Sequence, residues 1–381
     1  MCLPKVLVLL IFCHSAFAQW TQLPNAPGIA RDDGVAIAFG NDIYTGFGRD
    51  QGFYVRNDWW RYSFSDNQWY DLGNTPFERR QYTMIANDET GIVVLGGLLS
   101  GVHFRDVWKY SPDLNQWNRL ADIPQPVAQG VALSTASGIV CGLGRNENGL
   151  SDKLYIYNNE RWEYLTSYPG GPRDGVSGIS MGNFLLIGWG RGEDQQTYND
   201  WWLYNMTLNT WDSVASPTAP ARYWASSVTC DAGGGVVGFG VDSSGNFLND
   251  VWAYSWPENT WKELASLDSL RGGSLVCHDA DIHFLWGVDA AFTRRNEHWS
   301  LENIIAFDSP MFVYPNPGNG LFHIARRSQQ LERYRIVNAI GVIMDEFTCS
   351  SPRNCSFELN IPGLYFVFNL SSSKVFKLIV N

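Results

Sequence analysis

Short apolar runs, each closed by glycine or a polar turn, succeed one another through most of the chain and predict strands rather than helices. One run ends in glycine six times: Phe47-Gly48, Gly96-Gly97, Gly142-Leu-Gly144, Gly188-Trp-Gly190, Gly238-Phe-Gly240 and Trp286-Gly287. A second marker, Trp-x-x-(Leu/Val), starts at Trp20, Trp69, Trp117, Trp162, Trp211 and Trp261, at spacings of 49, 48, 45, 49 and 50 residues. A third, Asp-x-(Trp/Leu), starts at Asp58, Asp106, Asp152, Asp200 and Asp250, ten or eleven residues before the next such Trp, with a degenerate copy at Glu297-His-Trp299. Three independent markers keep one period.

Four strand-like runs per period of about 50 residues predict the blades of a β-propeller. A lone four-stranded sheet of this length cannot bury both faces, so each blade needs neighbours, with Trp and Tyr filling the space between them. The residues quoted resemble the Kelch repeat family, galactose-oxidase-like propellers included, over about residues 20–305. The glycine and Asp-x-Trp markers occur six times, but no Trp-x-x-Leu follows Trp299, whereas one stands alone at Trp20. The expected fold is all-β, a six-bladed ring in which Trp20–Leu23 is the outer strand of the last blade, leaving no open seam.

From Phe312 the pattern changes to Val313-Tyr-Pro-Asn-Pro-Gly318, Ile336-Val-Asn-Ala-Ile-Gly341-Val-Ile343, Leu359-Asn-Ile-Pro-Gly-Leu-Tyr365 and Lys374-Val-Phe-Lys-Leu-Ile-Val380. This reads as a small antiparallel sandwich, Ig-like in outline. It resembles the type A sorting (Por) domain of the type IX secretion system of Bacteroidota, which implies translocation across an outer membrane by that machinery. Residues 1–18 read as a signal peptide, with Lys5 ahead of the apolar run Val6–Phe12 and Ala16-Phe17-Ala18 before Gln19. Phe12 before Cys13 argues against a lipid anchor. The expected organisation is 1–18 signal peptide, 19–308 propeller and 309–381 sorting domain, in a protein secreted or held at the outer surface.

Composition supports this division. The chain holds 17 Trp, 17 Tyr, 21 Phe and 37 Gly, and carries a net charge of −11. The acidic excess lies before residue 312, since basic residues outnumber acidic ones seven to four beyond it. An acidic propeller is a poor partner for nucleic acid. No later segment is long and apolar enough for a membrane helix. Cys349 and Cys355 flank a short loop and are a disulfide candidate, two unpaired thiols being the alternative. Cys230 and Cys277 end the first strands of consecutive blades, a spacing at which no bond is expected; Cys141 reads as core.

Each first strand opens with Arg31, Arg80, Arg173, Arg222 or Arg271, with Gln129 at the third blade. Innermost strands line a propeller's channel, so these side chains are expected at one mouth with Tyr82, Tyr223 and Trp224. There they would bind an anionic or hydroxylated ligand by forked donors and stacking. The alternative is that they pair with backbone carbonyls or nearby Asp. The loops after the glycine marker, with Arg49-Asp50, Arg145-Asn146, Arg191-Gly-Glu-Asp194, Asp242 and Asp289, should face the same side. Cys277-His-Asp-Ala-Asp-Ile-His283 invites a metal reading, but Asp42, Asp88 and Asp231 mark the same turn, so no metal site is expected. His298 reads as packing.

Galactose oxidase needs a copper ligand set of His and Tyr that His103, His278, His283, His298 and His323 do not supply, and the sialidase box is incomplete at Ser65–Trp69. No cofactor is expected, and the absence of a complete catalytic constellation leans away from an enzyme. The sequence therefore favours a monomeric binding module for a glycan or protein. The alternative is an enzyme like the sialic acid mutarotases, which are six-bladed Kelch proteins, with Arg222 and Glu193 or Asp194 as the candidate set.

Overall fold

The computed structural model describes residues 19–230, 234–256, 258–267, 270–279, 281–302, 311–314, 321–326, 332–349, 355–370 and 374–380. The signal-peptide segment 1–18, the boundary near residue 308 and the Pro-Asn-Pro of the sorting-domain opening lie outside them, as does the side chain of Arg271. Among the described residues no helix is long and apolar enough to cross a membrane, which says nothing of a β-barrel.

Six four-stranded antiparallel sheets form six blades. Their innermost strands are Val35–Phe39, Met84–Asp88, Val131–Thr135, Ser177–Met181, Ser226–Thr229 and Ser274–His278. In blade one the chain runs outward through Asp42–Gly46, Asp58–Ser63 and Gln68–Asn74. The sixth blade breaks this order: its outer strand is Trp20–Leu23, paired antiparallel to His298–Leu301 with Trp20 opposite Leu301.

Apolar clusters alternate with the blades and join them. Val35, Tyr44, Phe47 and Trp59 of blade one pack with Ile92, Val94 and Tyr110 of blade two. Met84, Val93 and Val107 pack in turn with Ile139 and Cys141 of blade three. The Trp of Trp-x-x-Leu acts partly through its indole, which reaches the previous blade: Trp69 Nε1 donates to Pro24 O (3.0 Å), Trp162 to Ala121 O (2.9 Å) and Trp261 to Ala215 O (2.7 Å). Inner strands are stitched by hydroxyls where side chains are small. Asn87 N donates to Ser134 Oγ (2.9 Å), Ser180 Oγ to Ser134 O (2.6 Å) and Ser180 N to Thr229 Oγ1 (2.9 Å).

That close approach overturns one expectation. Cys230 and Cys277 are disulfide-bonded, with Cα atoms 5.4 Å apart. Inner strands converge towards the propeller axis, so the blade spacing that forbids a bridge farther out does not hold there. Cys349 and Cys355 are also bonded, and Cys141 is free and buried.

The seam between blades six and one differs from the rest. His283 and His298 stand where blade five has Val236 and Val251, and His283 Nδ1 lies 3.1 Å from His298 Nε2. Tyr62, Phe64 and Trp69 of blade one enclose the pair edge-on or tilted. Burial holds His283 at about 4 and His298 at about 3, so both are neutral at pH 7. His278 stacks on Phe64 at 3.9 Å, and His283 lies tilted against the same ring at 5.0 Å.

C-terminal to the ring, Met311–Tyr314, Leu321–Arg326 and Ser356–Glu358 make a three-stranded antiparallel sheet. Glu332–Asn338, Ile343–Cys349, Gly363–Asn369 and Lys374–Val380 make a four-stranded one. The two share a core of their own, with Phe322, Tyr334, Ile336, Phe357, Tyr365 and Val367.

Candidate functional site

Four of the arginines that open the first strands do not line the mouth. Arg31, Arg80, Arg173 and Arg222 are buried, and each forks onto the Asp of the Asp-x-Trp marker in its own blade. Arg80 Nη1 and Nη2 donate to Asp106 at 3.0 and 2.9 Å, and Arg222 donates to Asp250 at 2.7 and 2.6 Å. Nη1 also donates to the carbonyl of the residue just before the closing glycine of the marker: Phe47, Gly96, Trp189 and Phe239 respectively. Two residues after each Asp, the indole of Trp60, Trp108, Trp202 or Trp252 donates to the same carboxylate. Arg31 lies over Trp286, and Arg222 over Trp189, of the preceding blade. Two of the sequence markers are thus halves of one latch. Burial raises the Asp58, Asp106 and Asp250 carboxyls, but the guanidinium bonds and charge outweigh it and hold all three below the usual range.

Blade three lacks the latch. Strand register places Lys153-Leu-Tyr155 opposite the glycine marker where other blades have Asp-x-Trp, so Asp152 falls one position early. Val127 stands where Arg80 stands in blade two, and Gln129 is two residues farther on. A shallow, partly open depression lies at this place, lined by Val127, Cys141, Lys153 and Tyr155 among others.

The mouth is built by the residues two places after each of the four latch arginines, with Gln129 in blade three and Gly272, next to Arg271, in blade six. Tyr82 N donates to Asp33 O, Gln129 N to Tyr82 O, Gly175 N to Gln129 O and Trp224 N to Gly175 O, while Asp33 N donates to Gly272 O, all at 2.7–3.1 Å. These six residues share a left-handed backbone, φ 54–63°. This girdle of peptide hydrogen bonds holds the side chains of Asp33, Tyr82, Gln129 and Trp224 at one level. Tyr82 and Trp224, from opposite blades, face each other nearly parallel with ring centroids 6.0 Å apart. Burial pushes the Tyr82 hydroxyl far up, and the Asp33 charge adds to this.

Two charge clusters flank the aromatic pair. On the side of blades six and one, Arg294 Nε donates to Asp32 (2.6 Å), and Arg49 Nη2 lies 3.8 Å from both Asp32 and Asp33. On the side of blades three and four, Arg145 and Arg191 share the buried Asp174 at 3.0 and 3.2 Å. The Arg191 guanidinium lies over Tyr223 (4.3 Å) and Trp224 (5.2 Å). Glu193 leans on Arg145 at 3.4 Å, accepts the Leu150 amide at 2.7 Å, and keeps more than half its side chain in solvent. His103 lies on the neighbouring loop; burial lowers its pKa, with Glu147 and Arg145 acting in opposite directions. Of the residues expected at the mouth, Tyr82, Tyr223 and Trp224 are there, joined by Arg49, Arg145, Arg191 and Glu193 of the loops. Arg294, Asp174 and His103 were not foreseen. Asp174, next to Arg173 where blade one has Asp32 next to Arg31, was the available signal. Asp242 and Asp289 instead cap their own hairpins through Ser244 and Ala291 amides.

A Kelch motif model matches residues 86–124. Kelch-like protein 35 of Mus musculus is 25% identical over 159 residues, covering 41% of this chain and 27% of that protein. N-acetylneuraminate epimerase of Salmonella typhi is 28% identical over 101 residues, covering 25% of this chain and 26% of that enzyme. The chain thus spans about a quarter of the length of each of these curated relatives. The solved structure of YjhT superposes with a TM-score of 0.63 at 15% identity, covering 72% of this chain and 95% of that one, a likeness of fold. The sequence relation to the epimerases overturns the leaning away from an enzyme. A ring without a recognisable catalytic motif is no argument against catalysis when the chemistry asks only for a positioned acid or base. The chain carries a Kelch-repeat β-propeller, related in sequence to Kelch-like proteins and to sugar epimerases alike.

Proposed function

We propose that the mouth binds an acidic sugar and speeds the exchange of its anomers. The observation that carries this is the pair of cation clusters either side of Tyr82 and Trp224, with Glu193 exposed at their edge. Arg145 and Arg191 are held by a carboxylate that two guanidiniums share, which leaves donors for a ligand carboxylate. Tyr82 and Trp224 offer aromatic faces to the sugar ring. Glu193 takes the proton of the anomeric hydroxyl as the ring C–O bond breaks and a solvent water protonates the ring oxygen. After the carbonyl turns, the ring closes with the ring hydroxyl's proton returned to water and the Glu193 proton returned to the anomeric oxygen. Arg222 is not part of this set, because its guanidinium is committed to Asp250.

The test is exchange NMR on N-acetylneuraminic acid. The full chain should raise the exchange rate above buffer, and Glu193→Gln and Arg145→Gln/Arg191→Gln should each remove at least ten-fold of that gain. Exchange no faster than buffer at any protein concentration refutes the reading.

The two disulfides and the separate C-terminal core support a second proposal, export with residues 309–381 as the sorting signal. Fractionating cells that express the chain with and without residues 312–381 tests it. Equal release of both refutes it.

A further inference from the structure

The loops of blades one, four, five and six after the glycine marker share one hairpin. Its fourth residue donates its amide to the carbonyl of the first: Phe53 to Asp50, Gln195 to Gly192, Gly245 to Asp242 and Phe292 to Asp289, at 2.9–3.1 Å. That fourth residue is left-handed in each, with φ of 64°, 65°, 83° and 59°. Glycine meets this demand without strain, and blade five uses it; a bulky side chain there is disfavoured. Blades six and one nevertheless carry phenylalanine, and both rings are exposed, Phe292 by 63% and Phe53 by 68%. Neither backbone preference nor core packing accounts for them, and strain of this kind concentrates where a surface does work.

The two loops are joined. Gln51 Nε2 donates to Phe292 O (3.3 Å) and Arg294 N donates to Gln51 Oε1 (3.0 Å). Phe247 meets Phe292 edge-on at 5.8 Å, and Tyr54 is exposed beside Phe53. The guanidiniums of Arg294 and Arg49 lie 5.1 and 5.3 Å from the Phe53 ring, and both reach Asp32 below it. The aromatic rim is therefore continuous with the cation cluster of the mouth.

We propose that this rim is a second sugar subsite, so that the ligand is an acidic oligosaccharide with its reducing end in the mouth. Flat apolar rings edged by guanidinium donors match a pyranose, which presents C–H bonds on its face and hydroxyl or carboxylate oxygens at its edge. The inference rests on the mouth being the acidic-sugar site. Anomer exchange needs a free anomeric hydroxyl, which only the reducing residue of such a chain has, so the second ring is joined through another hydroxyl. Cleavage of an acidic polysaccharide is the class of reaction that supplies such chains.

The test is calorimetric binding of N-acetylneuraminic acid and of its α2,8-linked dimer to the full chain, compared with Phe53→Gly/Phe292→Gly. The dimer should bind at least ten-fold tighter than the monomer to the native chain. The glycine variant should erase that advantage, keep monomer affinity and exchange rate, and melt no lower than the native chain. A dimer that binds no tighter, an advantage that survives in the variant as it would if the rim served a protein partner, or a lowered melting temperature overturns the proposal. Phe-dependent dimer binding without accelerated exchange would instead refute the catalytic reading and leave the rim standing.

Discussion

Removing Asp106 should harm the propeller more than removing Arg80, although Arg80 makes more bonds. The Arg80 side chain has no solvent exposure, whereas Asp106 retains about a fifth of its side-chain surface and accepts the Trp108 indole at 2.7 Å. In Asp106→Ala the guanidinium stays buried with only the Gly96 and Glu78 carbonyls as acceptors. Stranding a buried charge in this way costs about 3–5 kcal/mol. In Arg80→Met the methionine fills the slot between Phe77 and Phe104, rings that lie 4.7 and 4.6 Å from the guanidinium. The abandoned carboxylate keeps its indole and some water, so this loss is about 1–3 kcal/mol. At roughly 2 °C per kcal/mol for a chain of this size, Asp106→Ala should lower the melting temperature by about 6–10 °C and Arg80→Met by about 2–6 °C. The double variant should sit near Arg80→Met, because without the guanidinium the missing carboxylate no longer matters. Thermal unfolding followed by tryptophan fluorescence gives all three. The folded carboxyl titrates below its unfolded value near 4, so the stability it adds is complete above pH 4 and lost only below, and the gap should hold from pH 5 to 8. An Asp106→Ala loss smaller than that of Arg80→Met would refute the latch as the reason for these residues.

Two other seams give expectations of their own. His283 and His298 titrate at about 4 and about 3 when folded, below the unfolded value near 6.5, so the stability tied to their neutral forms is present above pH 6.5 and lost as pH falls towards 4. Urea unfolding between pH 7 and 4.5 should weaken by up to about 2.7 kcal/mol per pH unit, and His283→Val/His298→Val should flatten that slope. A native chain as stable at pH 4.5 as at pH 7 would contradict it. Reducing Cys230–Cys277, or replacing both by serine, frees a loop spanning 47 residues and should cost about 4 kcal/mol. Unchanged melting on reduction would show that inner-strand packing alone holds blades five and six together.

The ring was legible because its markers are large residues at fixed intervals, and period needs no geometry. What failed to show was direction. Arg31, Arg80, Arg173 and Arg222 do open the inner strands, but whether a guanidinium turns to the mouth or into the blade depends on a carbonyl whose left-handed residue only the fold displays. Matching letters also misled at blade three. Asp152 fitted the marker while the strand register gives its place to Lys153, and Gln129 was aligned with arginines two positions away from it. The Cys230–Cys277 bond was missed because blade spacing was taken as uniform, whereas inner strands nearly touch. Glu193 and Arg191 were legible as loop residues, but Asp174, which binds Arg191 to Arg145, gives them their chemistry.

The strand Trp20–Leu23 is made before the other strands of the ring and finds its partner last, since Trp20 pairs with Leu301. Until then its apolar side chains, and the outer edge of His298–Leu301, have no home. Closing so long a loop is entropically slow compared with folding a blade locally. The chain therefore carries its own delay: five blades can assemble in order of synthesis, but the circle cannot lock until nearly three hundred residues are free. A ring closed by its first and last strands gains that time from being clasped there.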